Sequence, residues 1–177
     1  MQEKADMAFT GQGRAFSYFQ IINGMLSRPG AFFSKNLSDH NVKKPVLFLL
    51  ISVVFNVAAS LTVIKGNMFV LAGILVLNAT VMPIVAAVVS VAVLRIITGS
   101  NISLVRIFSI YAYAWGTTLY ASWIPMMFWI TEPWKWFLVT KGFTKGCDIT
   151  YMQAITASVI TIGLIIMGFY FLMDLTS

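Results

Sequence analysis

PVLFLLISVVFNVAASLTVI, residues 45–64, runs for twenty residues without a charge. At about 1.5 Å of rise per residue, a helix of that length crosses a hydrocarbon core of about 30 Å. Lys43 and Lys44 precede it, and Pro45 suits a first helical turn. Three more uncharged runs follow, at Met68–Leu94, Ile107–Ile130 and Ile149–Met173. Arg95, Arg106 and Asp174 stand at their ends. Asn78, Gly73 and Pro83 within the second run predict a tilted or kinked span.

Composition agrees with this reading. Of 177 residues, 59% are hydrophobic and 10% charged. A chain this short keeps a large share of its surface exposed, and there are too few polar residues here to cover it. A soluble globular domain, a disordered chain and a disulfide scaffold are excluded. The net charge of +6 then marks topology and contacts with the lipid bilayer's anionic headgroups, rather than nucleic acid. Cys147 and His40 are the single cysteine and histidine. They supply too few ligands for a zinc site, and no cofactor or metal is expected. The first apolar run begins too far along the chain for the core of a signal peptide.

A fifth span is predicted in PMMFWITEPWKWFLVTKGF, residues 125–143, entered by a tight turn near Ile124–Pro125. All five tryptophans lie between Trp115 and Trp136. That clustering suits an interfacial loop, which would leave four spans. The charges favour five. With the N-terminus inside, five spans put ten of the twelve basic residues in the cytoplasm, Lys65 outside and Lys135 within a span. Four spans give an eight-to-four split. The positive-inside rule selects the first arrangement. The fold class is therefore all-α: a polytopic transmembrane bundle of five spans, or four if 126–143 is an interfacial loop.

An amphipathic interfacial helix is predicted ahead of the bundle, over 14–37. Phe16, Phe19, Ile22 and Leu26 recur at three- and four-residue spacing, Pro29-Gly30 ends that helix, and Phe32 and Phe33 return to the membrane surface. Removal of this segment is expected to leave the bundle folded. Residues 1–13 read as a disordered cytoplasmic tail, and 38–177 as the bundle itself.

Polar groups in hydrocarbon need partners and face the bundle interior. The candidates are Asn56, Asn78, Arg106, Glu132 and Lys135. Glu132 and Lys135 are three apart, so they pair on one helix face. The two asparagines read as interhelical hydrogen-bonding groups. Arg106, at a span end, reaches toward headgroups. No nucleophile and base can be paired along the chain, so no catalytic residue is assigned and no enzyme activity is expected.

Several short stretches, in order, resemble the Yip1 family of multi-spanning membrane proteins in its shorter bacterial form. They are Pro29-Gly30-Ala31-Phe32-Phe33 before the first span, Tyr111-Ala112-Tyr113-Ala114 in the third, and Ile124-Pro125 a dozen residues on. Trp136 and Gly142 follow, then Thr150 and Ala154 at the last span. The resemblance covers roughly residues 16–173. The Asp-Leu-Tyr-Gly-Pro-type motif of eukaryotic members is absent. The resemblance implies five spans behind a cytoplasmic amphipathic lead, in a bacterial inner membrane, and no particular chemistry. Three functions compete on this reading: a non-enzymatic membrane scaffold or assembly factor, a small permease or channel using the intramembrane polar residues, and an accessory subunit of a larger membrane complex. A second copy of the chain or another membrane protein is the expected partner.

Overall fold

The structure, a computed structural model, describes residues 18–37, 42–63 and 67–175. The expectations for residues 1–13, for Phe16 and for His40 lie outside these. Seven helices and no strand occur among the described residues. They are α1 (18–27), α2 (Pro29–Asn36), α3 (Lys43–Val63), α4 (Met68–Thr98), α5 (Leu104–Ser122), α6 (Phe128–Gly146) and α7 (Tyr151–Leu175).

α5 is the axis of the bundle and packs against α3, α4 and α6. Every residue from Ser109 to Thr118 is buried. A helix covered on all sides needs neighbours that approach closely, and this one supplies Ala112, Ala114 and Gly116 between its aromatics. A Cβ on Gly116 would sit 2.6 Å from the Phe48 ring of α3. A Cβ on Gly142 of α6 would collide with Ile110 of α5. α7 lies against α4 and α6, and α2 against α6. The outward faces carry exposed apolar side chains such as Leu50, Val54, Ile84 and Phe169, as a bundle solvated by lipid requires.

Helix ends follow local chemistry. The Asn67 side chain accepts from the Phe69 and Val70 amides at the start of α4. Gly99 ends that helix in the left-handed conformation, at φ 64°. α4 continues through the buried Pro83 to Thr98. The turn expected near Ile124–Pro125 joins α5 to α6, with Met126 left-handed at φ 69° and the Met127 amide bonded to the Ile124 carbonyl.

α3, α4 and residues Tyr151–Phe171 of α7 are long and apolar enough to cross a membrane. α5 and α6 are 19 residues each and less apolar. Hydroxyls and Arg106 dilute α5, while Glu132, Lys135, Lys141 and Lys145 dilute α6. Residues 126–143 nevertheless fall mostly within a regular helix and not in a loop.

The N-terminal lead differs from its expectation. Among the described residues it is two helices broken at Arg28, beside the Pro29-Gly30 step expected to end the first, and the second buries Phe32 and Phe33. Pro29 has no amide hydrogen to continue the first helix, and it drives Arg28 out of the helical region to φ −144°. It then opens α2 at a position where proline costs nothing. α2 is not a surface helix. Phe33 is 0% exposed and Phe32 is buried, its ring edge-on to Tyr113 of α5 at 5.0 Å. The expected membrane-surface role of Phe32 and Phe33 is thus replaced by a core role. On α1, Phe19 and Leu26 are exposed and Ile22 is half-buried. The face turned inward carries Tyr18 and Met25, and the Tyr18 hydroxyl is 2.8 Å from Ser52 Oγ of α3. The lead is therefore part of the bundle, and its removal cannot leave the core intact.

Candidate functional site: a polar cup at one end of the bundle

Glu132 and Lys135 form an ion pair at 2.5 Å. They are the fifth and eighth residues of α6, so they lie about 6 and 10 Å in from its start. Lys135 is 7% exposed, and its Nζ lies 4.0 Å from the centre of the Trp115 ring on α5. The ammonium is thus held by a carboxylate on its own helix and by an aromatic face on the next. A buried charge requires such compensation.

Two adjoining cavities, of about 380 and 270 Å3, meet at this pair. Asn78, Trp115, Phe128, Glu132 and Lys135 line both. The larger continues toward Ile162 and Ile165 of α7 and is mostly apolar. The smaller is polar, with Asn56 and Ser60 of α3, Thr118 and Ser122 of α5 and Thr131 of α6. These residues come from the end of α3, the early half of α4, the end of α5 and the start of α6. Together they form a cup at the end of the bundle that carries the α5–α6 turn.

The cup has a closed floor. Ser90 of α4 is 2.5 Å from the Tyr111 hydroxyl of α5 and 3.0 Å from Thr161 Oγ1 of α7, so three helices meet in one buried hydroxyl cluster. Around it Tyr111 packs against Trp115 at 5.4 Å and Phe143 at 6.1 Å, and Trp115 packs edge-on to Trp136 at 5.9 Å. Below lie Ile107, Ile110, Leu138 and Val139, all fully buried.

The structure brings four of the five intramembrane candidates together. Asn56 donates to the Leu119 carbonyl at 2.8 Å and to Ser122 Oγ at 2.9 Å, an α3–α5 tie beside the smaller cavity. Asn78 is exposed and lines both cavities. Arg106 is the exception, on the first turn of α5 at the opposite end. The reading from sequence missed Trp115 as the third member of the ion pair, and the Ser90–Tyr111–Thr161 cluster entirely. The Tyr-Ala-Tyr-Ala-Trp run was the available signal, since alternating small and aromatic residues mark a helix packed on every side.

One carboxylate, one ammonium, two amides and several hydroxyls give the cup groups for hydrogen bonding and for recognition of a dipolar or zwitterionic group. Among the described residues no cluster of three or more His, Cys, Asp or Glu side chains comes together to hold a metal. Among known proteins, the model of one family, the Yip1 domain, matches residues 23–172. No curated protein and no solved structure matches the chain.

Proposed function

The chain belongs to the Yip1 family, and from that membership we propose that this integral membrane protein is a non-enzymatic scaffold that organises the bilayer or assembles its partners. The observation that carries this reading is the closed floor beneath the cup, where Tyr111, Ser90 and Thr161 join three helices. A scaffold needs a rigid interior, whereas a channel needs a path through it. Five spans complete the proposal: α5 and α6 cross the membrane as an antiparallel hairpin between α4 and α7. The N-terminus is then cytoplasmic, in a bacterial inner membrane. The charge distribution supports that orientation, and a second copy of the chain or another membrane protein is the partner.

The cup favours one alternative, a small permease in which Glu132 and Lys135 receive a polar solute. Light-scattering swelling of vesicles containing the purified protein separates the two. The scaffold reading expects no solute entry above protein-free vesicles. Entry that is lost on Glu132→Gln would replace it with the permease.

A further inference from the structure

At the end of the bundle opposite the cup, Arg106 lines a pocket of about 260 Å3. Its walls come from three places: Phe33, Ser34 and Leu37 at α2, Arg106 itself on α5, and Lys145, Gly146 and Asp148 at the end of α6. The Nε of Arg106 is buried and has no hydrogen-bond partner. A guanidinium carries five N–H donors, and a desolvated donor left unpaired is costly, more so when charged. Acceptors are near. Asp148 and Gly146, the last residue of α6, line the same pocket, yet Asp148 forms no ion pair with Arg106.

Lys145 brings a second cation to the pocket. Its stem lies across the start of α2, with Cγ 3.6 Å from where a Cβ on Gly30 would be. The two cations outweigh the one carboxylate and the C-terminal end of α6 in the same pocket, which leaves a site for an anion. The fork of arginine matches an oxyanion bidentately, and Phe33 and Leu37 add an apolar wall beside it.

We propose that Arg106 and Lys145 form a phosphate-binding site, occupied by the phosphate of a phospholipid headgroup or by free phosphate. The guanidinium takes two phosphate oxygens and Lys145 takes a third.

Thermal unfolding of the full chain in neutral detergent tests this with two probes. One is short-chain phosphatidylglycerol, compared with the matching diacylglycerol that lacks phosphate. The other is inorganic phosphate, compared with chloride at equal ionic strength. The expected result is a rise in midpoint of roughly 5 °C at a hundredfold excess over the dissociation constant. Arg106→Gln and Lys145→Gln should each lose most of that rise, and Arg106→Lys should keep part of it because it retains charge without the fork. A rise with the lipid alone identifies a headgroup site. A rise with both probes identifies a site for phosphate itself. If Arg106→Gln fails to fold, Lys145→Gln carries the comparison, since Lys145 is exposed. No rise in the wild type, or equal rises in wild type and variants, would overturn the proposal.

Discussion

The Lys135 amine is faced by the Glu132 carboxylate on its own helix and by the Trp115 ring on α5. Loss of one ionic partner leaves the other unpaired, which costs more than loss of both. In detergent unfolding, Glu132→Gln should therefore destabilise more than Glu132→Gln combined with Lys135→Gln. The single change should cost about 2 kcal/mol, below the range for fully buried pairs because Glu132 stays a third exposed. A double-mutant cycle measures the coupling, and simple additivity would mean the two groups do not interact. Cys147 offers a titration outside the spans. Burial raises its thiol to about 11, against a smaller downward pull from Arg106. Thiolate is then scarce near neutral pH, so alkylation by iodoacetamide should run roughly a hundredfold slower than for an unperturbed thiol. The rate should climb until pH reaches about 11. Because the folded value is raised, the stability linked to this group is whole below pH 9.0 and is lost as pH rises toward about 11. At this scale the sequence disclosed the pair, since three-residue spacing puts two side chains on one face. It did not disclose Trp115, because periodicity fixes a face of one helix and not which neighbour that face meets. For the same reason Arg106 could not be told apart from the candidates at the other end.

Helices were legible where they are uniformly apolar, as in α3, α4 and α7, and where charge or Gly99 stops them. The N-terminal lead was misread because its stripe of Phe19, Ile22 and Leu26 has the spacing of a membrane-surface face. The face that actually packs is offset by one residue, at Tyr18 and Met25. Amphipathicity cannot distinguish a helix lying on lipid from one lying on its own bundle. Phe33→Ala is accordingly expected to cost about 3 kcal/mol or more, as for a core phenylalanine; a helix resting on the surface would lose little. Thermal or denaturant unfolding in detergent reads the difference. Between α5 and α6, Gly142→Ala should cost about 1–3 kcal/mol by forcing Ile110 aside. Gly163→Ala on α7 meets nothing within 4 Å and should be neutral or slightly stabilising, which makes it the internal control.

For the whole molecule, the five spans proposed above would put the two ends of the described chain in different compartments. In a Cys147→Ser background, Ser27→Cys and Asp174→Cys should be labelled by an impermeant maleimide from opposite sides of sealed vesicles. Labelling of both from one side would remove α5 and α6 as crossings. The arrangement also bears on how the chain enters the bilayer during synthesis. α3, α4 and α7 can partition into lipid on their own apolarity. α5 and α6 carry the cup's charges and hydroxyls, and each is too polar to be held by lipid alone. They would have to wait at the insertion machinery until both have emerged, then move in as one unit with Lys135 already neutralised by Glu132. The residues that form the cup would thus set the pace of biogenesis, and a chain stopped before α6 should leave α5 exposed to the cell's quality-control proteases.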